Sequence, residues 1–170
     1  MNQHEAAASR RPVQTAALFA AAAFLVVGVL GFIPGVTTHY GELRFAGPHS
    51  AAALFGVFGV SVLHNLLHLL FAVAGFAGAR TPTAARMFLM LGGLAYLLLW
   101  IYGAAIDKHS AANFVPLDHA DDWLHLGLGA GLLVLGVAGT AVERARGQYP
   151  RRSPAGKLPE DASADDEGQP

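Results

Sequence analysis

Cysteine is absent from this chain of 170 residues, and charged residues are scarce. Without thiols there are no disulfides, no thiolate metal sites and no cysteine nucleophiles. Charged residues make up 14% of the chain, against about 25% in an average soluble domain. The formal net charge of −1 provides no basic excess for binding phosphates. This balance argues against a nucleic-acid partner.

Apolar residues, in contrast, make up 54% of the chain, and its mean hydropathy is +0.42. They are grouped in long runs, and about 20 apolar residues in a helix suffice to cross the hydrocarbon core of a bilayer. The first run ends without a small-x-small cleavage pattern, so we expect a retained span and not a signal peptide. The sequence predicts one transmembrane domain, residues 14–142, with spans at about 14–33, 61–79, 84–106 and 122–142.

The segments outside these spans are more polar. Residues 1–13 are expected to form a flexible cytoplasmic N-terminus, and residues 143–170 a disordered cytoplasmic tail. Residues 51–60 are apolar, but joined to the second span they would make a run too long for an upright helix. We therefore expect an interfacial helix or turn there, with Phe55 and Phe58 on the bilayer surface.

Three aromatic residues, Trp100, Tyr102 and Trp123, are expected at the membrane interface, where such side chains are enriched. Two small-xxx-small pairs, Gly127 with Gly131 and Gly75 with Ala79, predict close contact with a neighbouring helix.

Lysine and arginine are unevenly distributed along the chain. With the N-terminus inside, only Arg44 and Lys108 lie in segments that face outward, and the other nine face the cytoplasm. Cytoplasmic segments of membrane proteins carry such an excess. The sequence thus predicts a multi-pass protein of the bacterial inner membrane with both termini cytoplasmic.

Two stretches of the chain resemble one another, Asn-Leu-Leu-His-Leu at residues 65–69 and Asp-Trp-Leu-His-Leu at residues 122–126. Each begins an apolar run, which indicates an internal repeat of two helical hairpins that point the same way. Such repeats are related by an axis along the membrane normal. The predicted fold class is therefore all-α, an integral membrane four-helix bundle built from two parallel-related hairpins.

The repeat places His68 and His125 at equal depth near the outer face. Polar side chains in hydrocarbon need partners, so we expect them to turn inward and to bond across the bundle. Either Asp121 or Asp122 is also expected to cap the fourth helix. The predicted polar cluster comprises His64, Asn65, His68, Asp121, Asp122 and His125.

The leading hypothesis for this cluster is a structural clamp in a non-enzymatic structural or accessory membrane protein, without a cofactor. The first alternative is a bis-histidine haem or divalent metal site, since imidazole binds both. The second is a small proton-coupled carrier, because histidine titrates near neutral pH. A hydrolase using Ser61 is disfavoured, because no nucleophile-elbow glycines surround that serine. Expected partners are membrane lipids, with a homo-oligomer or another membrane protein left open.

Several stretches carry a family resemblance: Leu-His-Asn at 63–65, His-Leu-Leu-Phe at 68–71, and Leu-Leu-Trp at 98–100 with Tyr-Gly at 102–103. The most specific is Ser-Ala-Ala-Asn-Phe-Val-Pro at 110–116, leading to Asp-Trp-Leu-His-Leu-Gly at 122–127. In these stretches the chain resembles a bacterial family of four-helix membrane proteins, domain of unknown function 4383. The resemblance covers about residues 14–139 and implies an integral membrane protein, but it implies no activity.

Overall fold

A computed structural model of the protein describes residues 10–148. The chain is mostly helical, with α1 at Pro12–Leu30, α2 at Val62–Gly78, α3 at Pro82–Ala105 and α4 at His119–Ala145. The prediction of four helices is confirmed. The predicted flexible N-terminus and disordered tail lie outside the described residues, except at their inner edges. There the prediction is wrong, because α1 begins at Pro12 and α4 continues to Ala145.

Three of the helices, α1, α3 and α4, are long and apolar enough to cross a membrane, with 19, 24 and 27 residues. The fourth, α2, is apolar but has only 17 residues. At 1.5 Å per residue it is about 26 Å long, a little less than the ~30 Å of a hydrocarbon core.

Consecutive helices run antiparallel, and α1 packs most extensively against α2, as α3 does against α4. At one end, the Gln14 side chain of α1 donates to the carbonyl of Ala79, just after α2, at 2.9 Å. We call this the terminal end, since the first and last described residues lie there. At the opposite end, the loop end, are the two long connections, residues 31–61 and 106–118.

Small residues allow the helices to approach closely. A Cβ added at Gly75 would lie 2.7 Å from Ala21 of α1, and one at Gly139 would lie 2.6 Å from Val13. The predicted contact at Gly127 and Gly131 is wrong, because nothing lies within 4 Å of a Cβ at either position. These two glycines share a face of α4, but the buried face is the one that carries His125, Gly129, Leu132 and Gly136.

The predicted interfacial helix or turn at residues 51–60 is corrected to a β-hairpin, β2 at Ala53–Leu54 and β3 at Phe58–Gly59. Strand β1, Thr37–Thr38, pairs antiparallel with β2 and completes a three-stranded sheet in the order β1-β2-β3. The hairpin turn needs left-handed backbone at Phe55 (φ 54°) and Gly56 (φ 71°), a conformation that glycine adopts easily. Pairing of the three strands satisfies backbone N–H and C=O groups that a single helical turn would leave without hydrogen-bond partners.

The two long connections form one folded layer over the loop end, which we call the loop cap. The Gly47 N–H of the first donates to the Phe114 carbonyl of the second at 2.7 Å. The Val62 and Leu63 N–H groups at the start of α2 donate to the carbonyls of Arg44 and Phe45, at 3.0 and 2.8 Å. The loop cap therefore satisfies donors that would otherwise be unpaired at a helix N-terminus.

Candidate functional site: a buried histidine cluster and a carboxylate clamp

The structure brings three of the predicted residues together beneath the loop cap. His64 and His68 lie one turn apart on the same face of α2, and their rings stack with centroids 4.7 Å apart. The ring centroid of His125, on α4, lies 6.2 Å from that of His64. The ring centroid of Tyr96, on α3, lies 5.4 Å from that of His125. All four side chains are buried. We call His64, His68, His125 and Tyr96 the histidine cluster.

The hydrogen bonds of these imidazoles differ from those expected. His68 Nδ1 pairs at 3.1 Å with the His64 carbonyl oxygen, one turn earlier on its own helix. Nδ1 of His64 and Nδ1 of His125 have no hydrogen-bond partner among residues 10–148. The rings therefore meet through stacked and tilted contacts, and not through the predicted bonds across the helices.

A cavity of 170 Å³ lies beside the histidine cluster, and we call it the histidine cavity. The His64 ring also forms backbone hydrogen bonds with Gly59 and Pro116 in the loop cap, which covers the site from that end. The residues that line the cavity come from α2, α3, α4 and the loop cap: His64, Leu67, His68, Phe71, Ala95, Tyr96, Leu99, Val115 and His125.

Asn65 is buried, as predicted for the cluster, but it faces α1 and does not line the histidine cavity. Its side chain occupies the space that a Cβ at Gly31 would need, directly after the end of α1. Glycine at position 31 is therefore what lets an amide fit between α1 and α2.

Asp121 forms hydrogen bonds at the N-terminus of α4 and does not bond to the histidines. Its N–H donates to Asp118 Oδ1 at 2.8 Å, and its Oδ2 accepts the Asp118 N–H at 3.1 Å. The N-cap is thus Asp118, which corrects the predicted choice of Asp121 or Asp122. The Gly59 N–H donates to Oδ2 of both Asp118 and Asp121, at 3.0 and 3.1 Å, and ties α4 to the hairpin.

Asp122 forms an ion pair with Lys108, which sequence reasoning had placed only as an outward-facing charge. Lys108 Nζ lies 2.8 Å from both carboxylate oxygens and donates to the Gly103 carbonyl at 2.6 Å. The sequence did contain a signal for this pair, because a carboxylate at the start of a membrane span usually has a cationic partner. We call Asp118, Asp121, Asp122 and Lys108 the carboxylate clamp.

A second ion pair lies at the terminal end, between Arg86 of α3 and Glu143 of α4. The Glu143 side chain is fully buried. Sequence reasoning missed this residue because it assigned position 143 to the disordered tail. An arginine within the first turns of a predicted span was the available signal that an acidic partner is close.

The three aromatic residues predicted at the interface lie towards the loop end. Trp100 is half-buried, and Trp123 is 71% exposed. The Tyr102 hydroxyl donates to the Ala112 carbonyl and so joins α3 to the loop cap.

Within residues 10–148, no group of three His, Asp or Glu side chains is arranged to hold a metal ion. The size of the histidine cavity also bears on the haem alternative. A protein cavity of about 150 Å³ holds one benzene ring. At 170 Å³ the histidine cavity is far smaller than a porphyrin, which contains four pyrrole rings.

Comparisons with curated proteins and with solved structures gave no match. A family described as "Domain of unknown function (DUF4383)" matches residues 14–138. This range contains the histidine cluster and the carboxylate clamp, and it extends over more than half of the chain. The resemblance predicted from the motifs is confirmed, and the chain belongs to the DUF4383 family.

Proposed function

We propose that this protein is a multi-pass component of the bacterial inner membrane with both termini in the cytoplasm, and that it has a structural or accessory role. Three helices long enough to span support the membrane location. The shorter α2 begins beneath the loop cap. Arg44 and Lys108 lie at the loop end, whereas the terminal end carries Arg10, Arg11, Arg80, Arg86, Arg144 and Arg146. This asymmetry favours a cytoplasmic terminal end.

The carboxylate clamp is the observation that carries the structural role. Its side chains are engaged in bonds that hold α4 to the hairpin and to the end of α3. Ser61, the serine nearest to the histidines in sequence, caps α2 by accepting the His64 N–H at 3.1 Å. These groups serve to fix the positions of helices, which favours an accessory protein over an enzyme.

Paired packing supports the proposal that the fold is two parallel-related hairpins. Asn65 of α2 fits against Gly31 at the end of α1, and Asp122 of α4 fits against Gly103 near the end of α3. Asn65 and Asp122 are equivalent in the sequence repeat. In each half, a polar residue near the start of the second helix thus packs on a glycine at or near the end of the first helix.

Cysteine labelling tests the proposed topology, and the absence of native cysteine makes single substitutions unambiguous. We expect a membrane-impermeant maleimide to label Glu42→Cys and Ala111→Cys in intact spheroplasts, because both positions are exposed in the loop cap. Gln148→Cys, exposed at the terminal end, should be labelled only after the membrane is permeabilised. Labelling of Gln148→Cys in intact spheroplasts would overturn the proposed orientation.

Absorbance and elemental analysis of the purified protein separate the accessory role from the haem and metal alternatives. We expect no Soret band, because a porphyrin exceeds the volume of the histidine cavity. A Soret band or stoichiometric metal, lost in the double variant His68→Ala and His125→Ala, would replace the accessory role by ligand-based chemistry. A proton-coupled carrier would instead show pH-dependent flux in liposomes that His125→Ala abolishes.

A further inference from the structure

His125 of the histidine cluster is buried without satisfying its hydrogen-bonding capacity, and His64 satisfies its own only in part, through the backbone of Gly59 and Pro116. His64 is 5% exposed and His125 is 1% exposed, and Nδ1 of each has no partner among the described residues. Nearly all buried polar groups in proteins are hydrogen-bonded, so an exception calls for an explanation. Both residues line the histidine cavity, where a bound group with polar atoms would supply partners.

The lining of the histidine cavity defines the chemistry of such a group. Aromatic rings form much of the wall, namely His64, His68, Phe71, Tyr96 and His125. Their contacts favour a flat ring, and the volume of 170 Å³ suits a single six-membered ring, since about 150 Å³ holds benzene. No lysine or arginine lines the cavity, so an anionic phosphate would have no cation to pair with.

An apolar groove between α2 and α3 adjoins the histidine cavity. This α2–α3 groove has a volume of 410 Å³ and shares Phe71 and Ala95 with the cavity. It is open along its length because small residues, Ala74, Gly78, Ala84 and Gly92, lie along it. From Ala95 to Ala84 the groove follows eleven residues of helix, which at 1.5 Å each is about 16 Å. Its shape and lining suit a long, narrow hydrocarbon tail.

We infer that the histidine cavity and the α2–α3 groove together bind a membrane-soluble quinone, with the ring among the imidazoles and the isoprenoid tail along the groove. This inference rests on the proposed membrane location. A quinone combines an uncharged planar ring, oxygens that accept or donate hydrogen bonds in its two redox forms, and an apolar tail. Neutral imidazole has one donor and one acceptor nitrogen, so His64 and His125 can bond either a carbonyl or a hydroxyl oxygen.

Ala95 lies where the cavity meets the groove and is exposed on the helix surface, so a larger side chain there blocks the junction without disturbing the core. Ala104 is exposed on the same helix and lines neither space, so it provides a matched control. The variants are Ala95→Phe and Ala104→Phe, with His125→Leu as a test of the polar contact.

The experiment is calorimetric titration of the purified full-length protein in detergent with a decyl-substituted benzoquinone. We expect saturable binding of one molecule per chain, weakened at least tenfold by Ala95→Phe and by His125→Leu and unchanged by Ala104→Phe. No saturable binding to the wild type, or equal affinity for the wild type and Ala95→Phe, would overturn the inference. So would full displacement of the quinone by an equimolar phospholipid, which would assign the site to lipid.

The assay in detergent does not depend on orientation in a membrane. Its failure is therefore distinguishable from failure of the proposed topology, which the labelling of single cysteines measures separately.

Discussion

At the scale of single residues, Asp122 stands out, because its carboxylate lies at the start of α4 with a side chain only 9% exposed. Lys108 reaches it from the loop cap and at the same time closes on the Gly103 carbonyl of α3. One lysine thus attaches the connection at residues 106–118 to both α3 and α4. Hydrogen bonds between charged groups are stronger than those between neutral groups, particularly where water is excluded.

We predict that Asp122→Asn lowers the free energy of unfolding in detergent by about 1.5–3 kcal/mol, the usual contribution of a hydrogen bond to a charged group. The control is Glu42→Gln, an exposed carboxylate of the loop cap, which should leave thermal stability unchanged. A double-mutant cycle with Lys108→Met measures the coupling directly. If the effects of Asp122→Asn and Lys108→Met simply add, the ion pair is not the source of the loss.

Sequence reasoning found the six polar residues but not most of their partners. Spacing of four along a helix places His64 and His68 on one face wherever the helix lies. It gives no information on how residues 106–118 fold back to bring Lys108 to Asp122. That fold depends on Asn113, whose side chain bonds the Lys108 carbonyl at 2.9 Å and both backbone groups of Leu117.

At the scale of elements, close contacts between helices depend on which face of α4 each glycine occupies. Val13 of α1 is fully buried, and a side chain at Gly139 would press against both its side chain and its backbone. Gly131, two turns earlier, is exposed and has open space around it. The pattern of small residues in the sequence does not distinguish these two cases, since the contacting face is set by tertiary packing.

We predict that Gly139→Leu lowers stability by about 1–3 kcal/mol, the usual cost of overpacking. Gly131→Leu, the matched control on the same helix, should be neutral or slightly stabilising because leucine favours helix more than glycine does. Apparent melting temperatures of the two variants in one detergent provide the measurement. Equal losses in both variants would show that helix propensity or detergent contact, and not the α1–α4 contact, governs the effect.

The β-hairpin at residues 53–59 was not predicted, because its strands are very short. Strands β2 and β3 have two residues each, too short for an alternating pattern to be recognised. Residues 51–60 are apolar on both sides of the turn at Gly56, and an apolar run of this length suits a helix equally well. Pairing with β1, distant in sequence, decides the outcome.

At the scale of the whole molecule, the helices were predictable because long apolar runs have few alternatives to helix in a membrane. The ends of α4 were less predictable, because the cap at Asp118 and the buried pair of Arg86 and Glu143 extend this helix beyond its apolar run at both ends. The histidine cavity was not predictable, since it arises where α2, α3 and α4 meet and depends on side chains from all three.

The exposed side chains of Leu67 and Ala95 border the histidine cavity on its flank, whereas the loop cap covers its top. With the proposed placement in a bilayer, this flank faces the acyl chains of one leaflet. A molecule would therefore arrive sideways, out of the lipid, and occupancy would follow its mole fraction in that leaflet. The aqueous concentration would matter only through partitioning, so two membranes bathed in the same solution could load the protein to different extents.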